Sequence, residues 1–339
     1  MLGIGHVGIG DAIGAAAIIV AATALLCGLA TRALIPVLRR RNVLDRPNER
    51  SSHTVPIPRG GGIPLIGTVL LAWLALRAAG RVSPAIPLVS LGAVLLATIC
   101  WIDDLRGLSP ATRLAAQAAA VAIGLYALPA GNALVSWLGP AAYFAAAGLV
   151  WMWWINLFNF MDGIDGLAGS EAAAIGGGLV LFATIGSGVD PGLASLAAAI
   201  LGAALGFLAS NWSPARIFLG DVGSAPLGYL TGFLLIGLAA RGSWKIALIL
   251  PLYFLADATI TLLRRLVRGE RVWQAHRLHF YQQAVQKGLG HAAVVRRVIA
   301  ADLMLIGCGW AAENGWGGAA LGAAVAIVTA LLALLAAGS

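Results

Sequence analysis

Four side chains that carry an oxygen recur at a spacing of three in the polar segment 153–170, namely Asn156, Asn159, Asp162 and Asp165. On an α-helix these four would fan over half a cylinder, whereas on a tighter 3₁₀ turn they would line up. Gly163 and Gly166 interrupt helical structure here and let a ligand approach the backbone. Oxygen ligands of this type suit a hard cation such as Mg²⁺, not zinc. The segment therefore predicts a magnesium site.

An acidic pair, Asp103 and Asp104, closes the apolar run 84–102. Adjacent residues on a helix point about 100° apart, so the two carboxylates face different directions. One could hold a metal or a cation while the other takes a proton. Because acids at a helix C-terminus oppose the macrodipole, we expect a cation to compensate this pair.

Asp221 lies between Gly220 and Gly223, directly before the apolar run 224–240. An acid, glycines and a helix N-terminus together suit a site for phosphate and metal. Capping of the helix by Asp221 or Ser224 is the structural alternative, and both roles can hold together.

The basic segment 44–63 contains three prolines and a glycine triplet, which exclude a regular helix. Four of its side chains can face an anion: Arg46, Arg50, His53 and Arg59. A cytoplasmic topology signal accounts for the arginines but requires neither the histidine nor the glycines. An anion contact by His53 and Arg59, with close backbone approach at 60–62, is one of two interpretations that stay open.

A second basic segment, 262–291, contains His276 and His279, which share one face if this part is helical. Imidazoles that donate hydrogen bonds or protons to phosphate oxygens fit the basic setting. A zinc site is the alternative, but no Cys or Glu pattern accompanies the two histidines. We therefore prefer a phosphate contact.

Composition decides what kind of protein must position these groups. Hydrophobic residues make up 60% of the 339 residues and charged residues 11%, with a mean hydropathy of +0.89. So few charges could not cover a water-facing surface, which excludes a soluble enzyme, a disordered chain and a fibrous repeat. We predict an all-α, polytopic transmembrane helical bundle. Apolar runs give about eleven spans: 12–37, 61–79, 84–102, 111–128, 140–158, 167–186, 192–210, 224–240, 243–263, 293–311 and 316–337.

The distribution of basic residues predicts the orientation of these spans. Alternating sides places four Lys and Arg residues on one face and the remaining 18 of 22 on the other. The richer face is then cytoplasmic, with the N-terminus outside and the C-terminus inside. The net charge of +8 thus indicates topology and anionic lipid, not nucleic acid. Nearly all the candidate chemistry falls on the cytoplasmic face.

Two features inside the spans have structural interpretations. Asp257 lies within the run 243–263, where an acid is by default a functional hypothesis. Pairing with Arg264 or Arg265 is the alternative, and we slightly prefer it. Four tryptophans near the cytoplasmic boundary are typical of an interfacial belt: Trp151, Trp153, Trp154 and Trp212.

The reaction class follows from acids, arginines and histidines meeting on one membrane face. A phosphate and a carboxylate ~4 Å apart repel by about 4 kcal/mol at an effective dielectric of ~20. A divalent cation together with arginine removes that conflict, as phosphoryl transfer requires. Because the site is at a membrane, one reactant is expected to be a lipid. We expect a lipid phosphate to attack a soluble, nucleotide-linked diphosphate.

Five motifs in this order resemble the polyprenyl-phosphate N-acetylhexosamine-1-phosphate transferases, the superfamily that includes phospho-N-acetylmuramoyl-pentapeptide transferase. The resemblance extends from Asp45 to about Gln283. The motifs are Asp45-Arg-Pro with His53 and Pro58-Arg-Gly-Gly; Asp103-Asp104; Asn156 to Gly166; Phe218-Leu-Gly-Asp221-x-Gly-Ser224; and His276-x-x-His279. Many members carry a third histidine after the last motif, where this chain has Phe280-Tyr281. The loop therefore looks like the O-antigen-initiating branch.

The resemblance implies transfer of a sugar 1-phosphate from a UDP-N-acetylhexosamine to undecaprenyl phosphate, with Mg²⁺ or Mn²⁺ required and UMP released. It implies metal ligation by Asp221 with Asn159 as a neighbour, and catalytic roles for Asp103, Asp104 and His276. Substrate contacts fall to Asp162, Asp165, Asn156, Phe218 (stacked on uracil), His279, His53, Arg59 and Arg277. GlcNAc, GalNAc, FucNAc and QuiNAc stay open as the sugar, and a homodimer is left open as the assembly.

We expect one domain, 1–339, in the bacterial cytoplasmic membrane. Its site is built from the loops 38–60, 103–110, 156–167, 211–224 and 264–292. Two other classes were weighed. An ion- or proton-coupled transporter would hold its acids near the bilayer midplane, often on broken helices of an inverted repeat, and no repeat is visible. A CDP-alcohol phosphotransferase would carry an Asp-Gly-x-x-Ala-Arg run, which this sequence lacks.

Overall fold

The computed structural model describes residues 9–47, 55–128, 139–185, 190–271 and 276–338, and these ranges form an all-α, polytopic membrane protein. The helices are α1 (Ile9–Arg40), α2 (Gly62–Ala78), α3 (Ile86–Arg106), α4 (Pro110–Leu125), α5 (Pro140–Phe160), α6 (Leu167–Ile185), α7 (Pro191–Asn211), α8 (Asp221–Ala240), α9 (Trp244–Ile249), α10 (Leu252–Val267), α11 (Phe280–Gln286), α12 (His291–Ala311) and α13 (Gly317–Ala337). Two short strands, β1 (Leu44–Asp45) and β2 (Ile57–Pro58), pair antiparallel.

The helices follow the apolar runs of the sequence. Seven helical units of the described residues are long and apolar enough to cross a bilayer, when α12, α13 and the segment between them count as one. The apolar helix α2 is shorter. Each of the eleven predicted spans coincides with helical structure, so the all-α bundle is confirmed, while the number of spans and their orientation stay predictions.

Two of the predicted spans deviate from straight helices. The run 243–263 is divided into α9 and α10, because Pro251 at the start of α10 has no N–H to continue the hydrogen-bond ladder. Between α12 and α13, the segment Ala312–Trp316 is kinked, and Gly315 there has a φ of 93°. The short helix α11 lies within the range 264–292, which the sequence predicts as a loop.

Buried tryptophans attach α5 to α8. The Trp151 indole N–H donates to the Tyr229 carbonyl at 2.9 Å, and the Trp154 indole N–H donates to the Thr231 hydroxyl at 3.0 Å. Both side chains are buried, so the interpretation as an interfacial belt is wrong for these two residues. Their role is to fix α5 against α8, and the end of α5 carries Asn159.

Candidate active site

The ends of four helices meet at one end of the bundle and bring the predicted acids together. Asp103 and Asp104 lie in the last turn of α3, Asn159 lies in the last turn of α5, and Asp221 begins α8. Arg59 precedes α2 and reaches both Asp104 and Asp221. The second, third and fourth motifs therefore share one site, as the sequence predicts.

Asp104 is the most deeply buried acid of this group, with 1% of its side chain exposed. It forms an ion pair with the Arg59 guanidinium and accepts the backbone N–H groups of Asp221 and Val222, at 3.3 and 3.1 Å. A carboxylate at a helix N-terminus is stabilised by the unpaired N–H groups and the macrodipole. Asp104 therefore caps α8 from another helix. No side chain of the α8 start provides that cap, so the interpretation of Asp221 as an N-cap is wrong.

Asp103 points in another direction, as its adjacent position on the helix predicts. Its carboxylate accepts the Leu108 N–H at 2.5 Å and pairs with the Arg113 guanidinium at 3.3 Å. The expected compensating cations for the acidic pair are thus two guanidinium groups, Arg59 for Asp104 and Arg113 for Asp103.

Asp221 is the acid of the cluster that solvent reaches best, with 24% of its side chain exposed. Arg59 and Arg113 flank its carboxylate at 3.7 and 3.8 Å, and the Asn159 side chain hydrogen-bonds to it. Two cations thus lie on either side of one accessible carboxylate. A phosphate could bind both guanidinium groups without leaving Asp221 unpaired, because the carboxylate keeps its Asn159 contact.

The loop before α2 pairs with the loop before α8, which holds Arg59 next to Asp221. The Phe218 N–H donates to the Pro58 carbonyl at 2.8 Å, and the Phe218 carbonyl accepts from Gly60 and Gly61 at 3.2 and 2.8 Å. A Cβ on Gly62 would lie 2.2 Å from the Gly223 Cα. The glycine triplet therefore lets the backbones of two helix starts touch, and its approach to an anion stays one of the two open interpretations.

Asp162 lies in the electric field of the same cluster. Its partial burial and the charge of Asp221 raise the pKa of the Asp162 carboxyl well above its ordinary value, against the opposing effect of Arg59. The spacing of three therefore brings Asn159 and Asp162 to one site, although Asn156 and Asn159 lie on α5 and not on a 3₁₀ turn.

Asp165 occupies a different, buried position. Its carboxylate accepts the Ala215 N–H at 3.1 Å and pairs with the His291 imidazole at 3.2 Å. Burial raises the pKa of Asp165, but the His291 hydrogen bond and charge and the Ala215 N–H outweigh it and lower the pKa overall. The Asn211 side-chain oxygen accepts the Gly166 N–H at 3.0 Å close by. These contacts connect the segment after α5 to the segment after α7.

A cavity of about 350 Å³ opens beside Asp221. Its polar lining consists of Asp221, Asn159, Asn156, Gln117 and Arg113. Its apolar lining consists of Leu96, Ile99, Cys100, Pro110, Leu114, Ala116, Trp153, Phe160, Ala225 and Leu262. The Asn156 amide donates to the Gln117 carbonyl oxygen at 2.7 Å, which fixes both side chains.

The sequence interpretation missed Arg113 and Gln117, which lie one turn apart on α4. Arg113 is the single charged residue of that helix. A basic side chain in the first turn of a helix opposes the macrodipole, as do the acids at the end of α3. That unfavourable placement was a signal that Arg113 has a partner elsewhere.

Asp257 binds the segment 276–281, which contains His276 and His279 and is called the histidine segment below. The His279 Nδ1 lies 3.1 Å from the Asp257 Oδ1, and the Phe280 and Tyr281 N–H groups donate to the two carboxylate oxygens at 3.0 and 3.3 Å. The expected pairing of Asp257 with Arg264 or Arg265 is therefore replaced by a pairing with the start of α11. The Arg265 guanidinium donates to Glu270 at 2.8 Å.

His276 packs against His279 with ring centroids 4.8 Å apart. Burial, the neighbouring His279 and Arg265 lower the pKa of His276 to about 4. Its Nδ1 accepts the Leu278 N–H at 3.2 Å, so the neutral ring carries its proton on Nε2. Near pH 7 this imidazole is a neutral hydrogen-bond donor. Among the described residues, the two histidines are not part of any group of three potential metal ligands, so the zinc alternative gains no support.

We expect His276 to titrate near pH 4, and not near the ordinary value of 6.5. Between those two values the unfolded chain binds a proton that the folded His276 does not, so this residue makes stability fall as the pH falls through that window. Nuclear magnetic resonance (NMR) of histidine-labelled protein, assigned with His276→Gln, measures the midpoint directly. A midpoint above 6 would contradict the assigned environment.

The remaining predicted site residues fall in three places. The Phe218 side chain is partly buried on the loop that pairs with Pro58. Arg277 is partly buried, and its carbonyl accepts the Gln286 amide at 2.8 Å. His53 lies outside the described residues, so its anion contact stays a prediction.

The donor set around Asp221 fits a magnesium ion shared with substrate. In the described ranges, no three His, Cys, Asp or Glu side chains are arranged to hold a metal by themselves. Mg²⁺ usually takes one or two carboxylates and completes its shell with water and substrate phosphates. The Asp221 carboxylate and the Asn159 amide oxygen are ligands of that kind.

Comparison with known proteins shows what the central part of this chain is similar to. Residues 86–239, which include Asp103, Asn159 and Asp221, match the model described as glycosyl transferase family 4. The match covers less than half of the chain. The resemblance to polyprenyl-phosphate N-acetylhexosamine-1-phosphate transferases is thereby confirmed.

Curated relatives share part of this region. An undecaprenyl-phosphate α-N-acetylglucosaminyl 1-phosphate transferase of Yersinia pestis is 36% identical over 135 residues, which is 38% of this chain and 36% of the relative. Its counterpart in Escherichia coli strain K12 is 34% identical over 44% of this chain and 40% of the relative. A decaprenyl-phosphate N-acetylglucosaminephosphotransferase of Mycobacterium tuberculosis is 28% identical over 50% of this chain and 45% of the relative. The chain thus spans less than half the length of these relatives.

Proposed function

We propose that this protein transfers an N-acetylhexosamine 1-phosphate from a UDP-sugar to undecaprenyl phosphate and releases UMP. The observation on which the proposal rests is the accessible Asp221 carboxylate, flanked by Arg59 and Arg113, at the mouth of a largely apolar cavity. The curated relatives carry the names of undecaprenyl- or decaprenyl-phosphate transferases, and none of those names describes transport.

The cavity suits a lipid acceptor. Its apolar lining includes Leu114, Trp153 and Phe160, whose side chains are exposed at the outer surface of the bundle. A prenyl chain could enter from the bilayer along these side chains and bring its phosphate to the polar end. The lipid tail would thereby cover apolar surface that in water would be unfavourable.

The guanidinium groups suit phosphates. Arg59 and Arg113 retain exposed side-chain surface, 32% and 40%, while they pair with the acids of α3. Arginine binds phosphate oxygens with two parallel hydrogen bonds, which fixes orientation as well as charge. One guanidinium on each side of Asp221 can hold an attacking and an accepting phosphate in line.

In the reaction, an oxygen of the lipid phosphate forms a bond to the β-phosphorus of the UDP-sugar. The bond from that phosphorus to the bridging oxygen breaks, and UMP leaves with the electron pair. The Asp103 and Asp104 carboxylates hold Arg113 and Arg59 in place, which orients the phosphates that these arginines bind. The His276 Nε2–H contributes a neutral hydrogen bond to a donor phosphate or sugar, and Phe218 stacks on uracil.

A magnesium ion at Asp221 and Asn159 would neutralise charge that develops on the phosphate oxygens. We place the site on the cytoplasmic side of the bacterial inner membrane, because the distribution of Lys and Arg predicts an N-terminus outside and these helix ends inside. The lipid-linked diphospho-sugar then initiates O-antigen or another glycan of the cell envelope.

The test incubates purified protein with undecaprenyl phosphate and a panel of UDP-amino sugars, and mass spectrometry reads the lipid product. We expect UMP and the lipid diphospho-sugar in equal amounts for at least one donor, loss of both in EDTA, and recovery with added Mg²⁺. CDP-diacylglycerol is the control donor and should be inert. Release of UDP, or the absence of any lipid product across the panel, would refute the proposal.

A further inference from the structure

Asp257 is fully buried in α10 and accepts five hydrogen bonds. Two come from its own helix, from the Tyr253 and Thr261 hydroxyls at 3.3 and 3.4 Å. The other three come from the segment at the start of α11, namely from His279, Phe280 and Tyr281. Each of these three distances lies between 3.0 and 3.3 Å. One carboxylate therefore attaches the histidine segment to the bundle.

The contact to His279 fixes the orientation of its ring. A carboxylate oxygen only accepts hydrogen bonds, so the His279 Nδ1 must carry the proton that it shares with the Asp257 Oδ1 at 3.1 Å. The partner of one ring nitrogen sets which nitrogen is protonated and how the ring is turned. His279 is itself buried, with 3% of its side chain exposed. It is therefore poorly placed to contact a substrate directly.

Two aromatic rings pack against the His279 ring. The His276 ring, which is only partly buried, packs against the His279 ring. The Tyr281 ring stacks on the His279 ring with 5.6 Å between centroids, and its hydroxyl donates to the Phe160 carbonyl at 3.0 Å. Phe160 is the last residue of α5 and follows Asn159 directly. Asp257 thus supports His276 and the end of α5 through the same segment.

We propose that Asp257 and His279 form a buried positioning pair that holds His276 in its working orientation, and that His276 is the imidazole that contacts the donor. This inference rests on the proposed function for the identity of the donor. It assigns to His279 a supporting role in place of the substrate contact that the resemblance implies.

The first test reads the His279 tautomer and needs neither activity nor a variant of Asp257. The chain has five histidines, so ¹⁵N-labelled histidine gives few signals, and His279→Gln assigns the one in question. We expect the protonated Nδ1 in the wild-type protein. A protonated Nε2 with a bare Nδ1 would overturn the pairing. This readout is independent of turnover. A protein without transferase activity would therefore refute the proposed function but leave the Asp257–His279 pairing standing.

The second test is a double-mutant cycle with Asp257→Asn and His276→Ala. Asparagine keeps the shape of the aspartate side chain but replaces one acceptor oxygen by an N–H₂ group. The His279, Phe280 and Tyr281 donors therefore lose one of the two oxygens that accept from them. We expect the substitution to reduce kcat/KM for the UDP-sugar by about 10- to 100-fold in the wild-type background, as loss of a carboxylate that orients an imidazole does. In the His276→Ala background it should cost less than about threefold, because the residue through which it acts is gone.

Controls separate positioning from general damage. Thr261→Val removes a hydrogen bond from the same carboxylate oxygen without touching the histidine segment, and it should leave turnover within about twofold of wild type. Asp257→Glu retains both acceptor oxygens and should recover part of the activity. Equal losses from Asp257→Asn in both backgrounds would overturn the proposal, because a merely structural role predicts that result.

Discussion

Asp221→Asn should abolish transfer while the protein still folds in detergent. The substitution keeps the shape and the start of α8 but removes the one well-exposed carboxylate between Arg59 and Arg113. Loss of a preorganised charge at the point where charge develops costs about 100- to 1,000-fold in kcat. UMP release, measured at saturating donor and lipid, is the readout.

The matched control for this substitution lies at the opposite end of the bundle. Asp190 pairs with Arg241 at 2.5 Å and caps α7 by accepting the Leu193 N–H at 2.9 Å. Asp190→Asn keeps an oxygen for the cap and removes an exposed ion pair, which contributes about 0–1 kcal/mol to stability. Turnover of this variant should match wild type. Comparable activity in the Asp221 and Asp190 variants would contradict the assigned centre.

Gly62→Ala should destabilise the protein and inactivate it, although the glycine touches no substrate. The new Cβ would lie 2.2 Å from the Gly223 Cα, so the starts of α2 and α8 must separate. Overpacking of this kind costs about 1–3 kcal/mol or more when backbone must move. The displaced helix starts carry Arg59 and Asp221 apart, so turnover should fall with the melting temperature.

Gly67→Ala provides the comparison within the same helix. A Cβ at Gly67 meets nothing within 4 Å. Replacing a glycine by alanine in a helix interior stabilises by about 0.5–1 kcal/mol. Thermal unfolding in detergent should therefore place Gly67→Ala at or above wild type and Gly62→Ala well below it. Equal melting temperatures for the two variants would show that the contact between α2 and α8 is not as close as described.

The elements of the fold were largely predictable because they depend on local sequence. An apolar run of about 20 residues is long enough to span a bilayer as a helix, whatever lies elsewhere in the chain. The predicted spans accordingly coincide with helices. The division of the run 243–263 at Pro251 also depends on local sequence, but the run is long enough for one span and was predicted as a single helix.

The pairing of loops was not predictable, because it depends on which helices pack side by side. Nothing in the spacing of Asp104 indicates that its partner is Arg59, or that it caps a helix that begins at Asp221. The order of the motifs brought the acids to one face, and that much was correct. Their division into an exposed acid and two arginine-bound acids appears only in the packed bundle.

The same limit explains two of the errors of interpretation. A tryptophan in an apolar run is consistent with a lipid interface or with a buried contact, and Trp151 has the second environment. Asp257 has two arginines about two turns away on its own helix, Arg264 and Arg265, but its partner His279 comes from a later segment. In both cases the local sequence favoured the wrong surroundings: a lipid interface for Trp151 and an arginine partner for Asp257.

Transfer of a phosphosugar, and not of a sugar alone, is tested most directly with UDP-N-acetylglucosamine labelled with ³²P at either the α or the β position. After incubation with undecaprenyl phosphate, the organic phase and the nucleotide fraction are counted separately. We predict β-label in the lipid and α-label in UMP, in equal amounts. Both labels remaining in UDP while the sugar enters the lipid, or no label entering the lipid from this donor or any other UDP-amino sugar, would contradict the account.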